Sequence, residues 1–152
     1  MHVPVRAHHR LGLISGLVAA LALAPVVLAA PTQTTIVIDI ELGVSETFTA
    51  TGGVVCDSGT AVTDPFFVAG FGRQERGVGT FHLVKTLTCD DGSGWFQLLV
   101  NAAGTRTSDG TVGGFSVVGG SEAYASLRGG GQILGTFTGT GIIDVYTGYL
   151  RD

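Results

Sequence analysis

Few residues of this 152-residue chain are equipped for chemistry near neutral pH. His82 is the one histidine beyond the N-terminal segment, and histidine is the residue type best suited to general-base work near neutrality. That role needs a carboxylate or substrate within hydrogen-bonding reach; the plainer reading is an exposed or satisfied strand histidine. Asp39 and Glu41 fall on one face of a single segment, Glu46 follows shortly, and Asp144 lies near the end of the chain. Carboxylates whose pKa values are split by burial can divide acid and base roles. The plainer account lines them along a solvated face. Cys56 and Cys89 are the only cysteines, and their even count without a nearby Cys-x-x-Cys pair points to a structural disulfide. Such a bridge closes a loop of 33 sequence steps. In the loop-entropy account it stabilises the fold by about 3–4 kcal/mol.

Other chemistries lack their residues. With one histidine and a paired set of cysteines, a zinc site would have to recruit several carboxylates. Asp90, Asp91 and Ser93 sit in a run too short for a calcium-binding loop and read as turn formers. The glycine pairs Gly113-Gly114 and Gly119-Gly120 lack the lysine and the strand–helix setting of phosphate and dinucleotide sites. No metal and no cofactor is expected. The second half also carries aromatics, among them Trp95, Phe115, Tyr124 and Tyr146, which would either fill a core or line the mouth of a pocket.

The elements that position these residues are strands. Thr34 to Leu42 alternates, with Ile36, Ile38, Ile40 and Leu42 on one side and Asp39 and Glu41 on the other. Glu46 to Thr51 is a threonine-rich strand that Gly52-Gly53 ends or bends. Pro65, inside the apolar run Ala61 to Ala69, implies an edge, a bulge or a break into two pieces. Thr80 to Cys89 places Phe81, Leu83, Lys85, Leu87 and Cys89 on one face and His82, Val84, Thr86 and Thr88 on the other. If Phe81 and Leu83 face the core, His82 faces solvent; if the faces are reversed, it is interior. Asp90 to Gly94 turns the chain into a strand from Trp95 to Ala102. Gly70–Gly79 and Gly104–Gly114 read as polar loops, and Phe115–Val118, Gln132–Thr138 and Ile142–Leu150 as strands. Ser121 to Arg128 is too short for more than a helical turn.

About eight strands with no long helix leave no room for parallel crossovers. The expected fold is therefore all-β: an eight-stranded, mostly antiparallel barrel with one short helical turn. Closure removes exposed edges. A β-sandwich is the alternative.

The N-terminus reads as an export signal over residues 1–30, followed by one domain over 31–152. Basic Arg6 and Arg10 precede an almost wholly apolar run from Leu11 to Leu28, and small residues then allow cleavage after Ala29 or Ala30. The run could also span a bilayer if retained. Cleavage leaves no membrane span, places the protein outside the cell and permits the disulfide. It also leaves 6 basic residues against 12 acidic ones, a charge of −6, which argues against a nucleic-acid partner.

The segment Gly119-Gly120-Ser121-Glu122-Ala123-Tyr124-Ala125-Ser126-Leu127-Arg128-Gly129-Gly130-Gly131 resembles a loop of the allene oxide cyclase and dirigent-like β-barrel superfamily. Tyr124 takes its aromatic position, and Gly129 and Gly131 the closing ones. The chain also resembles small secreted actinobacterial proteins of unknown function, which share a glycine-rich ending and a turn like Cys89-Asp90-Asp91-Gly92-Ser93-Gly94. The superfamily resemblance implies an eight-stranded barrel, an interior pocket for an apolar ligand and a homo-oligomer. It maps no catalytic carboxylate onto this chain.

Three functions compete: binding of a small apolar ligand or surface partner without catalysis, a cyclase-like or dirigent-like enzyme, and a structural protein with a filled barrel. The interior separates them. A ligand-sized cavity lined by aromatics, with two or more buried ionisable groups, favours the enzyme. A filled interior with every carboxylate outside leaves surface interaction alone.

Overall fold

The computed structural model describes residues 29–64, 67–69, 78–105 and 110–152. The expected export signal lies outside them, except for Ala29 and Ala30, as does most of the loop expected over Gly70–Gly79. Nine strands follow in order: β1 (Thr32–Glu41), β2 (Ser45–Thr51), β3 (Ser58–Thr63), β4 (Phe67–Ala69), β5 (Val78–Cys89), β6 (Trp95–Thr105), β7 (Gly110–Gly120), β8 (Arg128–Phe137) and β9 (Gly141–Arg151). Every pairing is antiparallel.

Each strand pairs with its chain neighbour, β9 returns to β1, and β3 reaches β5, so the sheet closes on itself. The result is an up-and-down barrel of eight wall positions. β3 and β4 share one position, because both lie along β5: Thr63 opposite Lys85, then Phe67 opposite His82. β3 ends at Thr63 and β4 begins at Phe67, and the sequence expectation for Pro65 itself lies outside the described residues.

Alternation decides what enters the lumen. On β1, Thr34, Ile36, Ile38 and Ile40 are buried while Asp39 and Glu41 are exposed. Leu42, which the same alternation would send inward, lies in the turn after β1 and is 68% exposed. On β5 the face carrying Lys85, Leu87 and Cys89 is the inner one. Ile, Leu and Phe side chains fill much of the lumen.

The stretch Gly104–Gly114 is a correction. It extends β6 through Thr105 and starts β7 at Gly110, and the strand expected over Phe115–Val118 grows to 11 residues. Glycine costs a flat strand its side-chain packing, but here it permits curvature. Gly131 and Gly148 face each other across β8 and β9, and a Cβ on either would stand 2.2 or 2.3 Å from a backbone carbonyl oxygen.

One end of the barrel is plugged. A 3-10 turn, Glu122–Tyr124, carries the Tyr124 ring beneath Phe96, with centroids 5.5 Å apart at 64°, and Phe96 meets Phe48 at 6.0 Å and 80°. These edge-to-face contacts suit the ring quadrupoles. Cys56 and Cys89 are disulfide-bonded beside the plug.

Candidate functional site

The opposite end of the barrel is hollow. A cavity of about 440 Å³ lies inside the ends of β1, β3, β6 and β8 and the starts of β2, β5, β7 and β9. Its wall is mostly apolar, including Phe81, Leu83, Val100, Ile133 and Ile142, and exposed Leu42 and Phe137 stand at its rim. The volume falls in the range of small-molecule sites.

The polar part of the cavity is concentrated on one side chain. Lys85 enters because it shares the inner face of β5, and it is 2% exposed. Its Nζ donates to Thr63 Oγ1 at 2.7 Å and to Glu46 Oε2 at 3.2 Å, while Thr63 Oγ1 also donates to Glu46 Oε2 at 2.7 Å. On the far side, Asp144 Oδ2 stands 4.0 Å from Nζ. The Asp144 carboxylate in turn accepts from the Tyr146 hydroxyl at 3.3 Å. Tyr146 is backed by Phe115 in an edge-to-face contact at 5.4 Å.

Ring order explains the reach of this cluster. β5 and β9 are four wall positions apart in either direction, so Lys85 and Asp144 meet across the lumen. Together they form a polar crossbar beneath the cavity. Among the described residues no buried side-chain nitrogen or oxygen lacks a partner, so each polar atom of the crossbar makes at least one hydrogen bond.

Burial sets its charges. The Asp144 carboxyl is held above the usual carboxylate range by desolvation, which outweighs the opposing pull of the Lys85 ammonium and the Tyr146 hydrogen bond. Desolvation, and then the adjacent Asp144, push the Tyr146 phenol upward and keep it neutral. Lys85 thus lies between Glu46 and a carboxyl whose neutral form burial favours.

The residues singled out in the sequence fall in several places. Asp144 and Tyr146 line the cavity. Phe115 stands behind Tyr146, and Tyr124 plugs the other end. Trp95 lies at the start of β6 and is 37% exposed. Asp39 and Glu41 face outward, bordering a shallow polar hollow of about 280 Å³ with Ser45, Thr47 and Thr140. His82 is exposed on the outer wall and pairs with Asn101. Among the described residues no cluster of three metal-binding side chains occurs.

Lys85, Glu46 and Thr63 complete the site; sequence reasoning named Glu46 among the strand carboxylates but did not single out Lys85 or Thr63. A signal for Lys85 was present. It is the only lysine in the chain, and it interrupts the apolar face Phe81-Leu83-Leu87. No comparable signal marks Thr63.

Comparison with protein-family models, curated proteins and solved structures finds no match to this chain.

Proposed function

We propose that this chain is an exported binding protein that admits a neutral, mostly apolar small molecule to the open end of its barrel. The observation that carries this reading is the apolar cavity of about 440 Å³ with its polar groups gathered at the Lys85–Asp144 crossbar. The apolar body of the ligand would displace water from the walls, and one hydrogen-bonding group would sit against the crossbar. Charge argues against an anionic headgroup. Lys85 already faces Glu46 and Asp144, so a ligand carboxylate would add a third acidic group around one ammonium.

Export is supported by the basic and apolar order of the N-terminal segment and by the Cys56–Cys89 disulfide, which persists in oxidising compartments. Kinship with the allene oxide cyclase and dirigent-like barrels belongs to the same proposal. A closed eight-stranded barrel with a short turn before one of its last strands is what such kinship requires.

A second reading, an enzyme, is favoured by one feature: buried ionisable groups in an aromatic-lined cavity. Lys85 and Asp144 are buried, Glu46 is partly so, and Phe81, Phe137 and Tyr146 supply the aromatics.

Titration with the neutral dye Nile red tests the binding reading. We expect saturable fluorescence enhancement, displacement by 1-decanol well ahead of decanoate at pH 8, and ~10-fold weaker binding in Ala102→Phe, which fills the cavity. Dye binding indifferent to Ala102→Phe would overturn the assignment of the site.

A further inference from the structure

We propose that Lys85 is a nucleophilic amine that captures the carbonyl carbon of a small apolar aldehyde or ketone as an imine. The proposal rests on the reading that the cavity admits small apolar molecules, and it names the class of compound and the bond formed.

Three observations lead to it. First, the chain spends its single lysine inside the barrel rather than on the surface, where lysines normally lie. Second, the amine borders apolar space large enough for a small molecule, with Phe81 and Leu83 along the same wall and Ile142 on the opposite one. Desolvated lysines in such settings are the ones that form Schiff bases. Third, Nζ has an uncommitted direction. Two of its three protons go to Thr63 and Glu46, whereas Asp144 Oδ2 stands at 4.0 Å, beyond a hydrogen bond. A purely structural strut would close that gap, and an apolar pair of similar volume would serve stability as well or better.

The groups needed for the reaction surround the amine. Glu46 accepts one proton from the ammonium through the existing hydrogen bond, which frees the nitrogen lone pair. The nitrogen then adds to the carbonyl carbon, the C=O π bond opens, and Asp144 relays a proton from nitrogen to oxygen, giving a neutral carbinolamine. Burial that favours the protonated carboxyl equips Asp144 for this exchange. Protonated Glu46 returns its proton to the carbinolamine hydroxyl, the C–O bond breaks, and water leaves as the C=N bond forms. In sum, ammonium plus carbonyl compound gives iminium plus water, with both acids restored and the charge unchanged. The iminium keeps the same two acidic neighbours that faced the ammonium.

The test uses the full protein, 3-phenylpropanal and sodium cyanoborohydride at pH 7, with 3-phenylpropanol as the non-carbonyl competitor. Reduction of an imine adds the mass of one aldehyde less its oxygen, and only Lys85 and the α-amino group can take it. We expect labelling of Lys85 about 100-fold faster than of the α-amino group, reflecting proximity in an enclosed site, and blocked by the alcohol. Lys85→Arg keeps the charge but forms no imine, so it should take no label beyond the α-amine. Displacement of Nile red by both compounds without a label on Lys85 would overturn the covalent proposal and leave the binding reading standing. Failure of either compound to displace the dye would overturn both.

Discussion

Lys85 and Asp144 sit on opposite walls of the barrel, four wall positions apart, yet Nζ and Oδ2 come within 4.0 Å across the lumen. The contact separates a packed half, filled by Phe48, Phe96 and Leu98, from a hollow half that opens at Leu42 and Phe137. Everything inferred about function follows from where this crossbar lies.

Lys85→Met tests its energetics. Removing the ammonium leaves Glu46 and Asp144 without their cation, and breaking a buried pair in this way costs about 3–5 kcal/mol. Because Glu46 keeps some solvent contact, the lower end of that range is expected. Urea denaturation should show recovery of a substantial part of the loss in Lys85→Met/Glu46→Gln, since the double change also removes the orphaned charge.

Asp144→Asn should change the pH dependence of stability in a defined direction. Burial raises the folded carboxyl above its ordinary value of 3.8, so the folded state holds more protons than the unfolded one between the two. Stability therefore falls as pH rises through that window and is unaffected by this group above it. The asparagine variant lacks the fall. Thermal melts should find it more stable than the parent at pH 7 and level with it at pH 3; equal shifts at both values would contradict the assignment.

Tyr124→Phe isolates a single hydroxyl. Ser93 Oγ donates to the Asp91 carboxylate at 2.5 Å, so the Tyr124 hydroxyl donates to Ser93 Oγ at 2.7 Å while accepting the Cys56 N–H at 3.1 Å. Without it a buried backbone donor loses its partner, at about 1–3 kcal/mol. The drop should appear in urea midpoints with an unchanged slope, and ligand binding at the far end of the barrel should be unaffected.

Replacing both Cys56 and Cys89 with alanine removes the link beside the plug. The loop it closes has 33 sequence steps, which sets the expected loss at about 3–4 kcal/mol, read from urea denaturation. A titration showing two free thiols in the native protein would refute the bridge.

Much of this architecture was legible in the sequence because period-2 alternation is a local signal. It marked the inner face of β1, grouped Lys85 with Phe81, Leu83 and Leu87, and set His82 on the opposite face. The resemblance at Gly119–Gly131 implied the barrel and the short turn, both of which the structure contains. The extent of β6 and β7 was not legible, because glycine reads as a breaker unless the curvature it serves is known. The crossbar was also beyond reach. Alternation says that Lys85 and Asp144 each leave the outer surface, but their meeting depends on ring order around a closed sheet, which no local pattern encodes. Asp39 and Asp144 looked equivalent as strand acids, and one residue of phase separates an outward carboxylate from one in the lumen.

The seam between β1 and β9 has a kinetic consequence. Seven of the eight joints around the ring connect wall positions that follow one another along the chain, whereas this one brings together the first and last strands, with Thr32 opposite Leu150. Loop-closure entropy makes it the slowest joint to form. Until it forms, the nascent sheet is a curled ribbon with two bare edges of complementary register, each able to pair with the other edge of a second molecule. Concentration during refolding should thus decide between a ring closed on itself and chains of barrels that have exchanged their first strands.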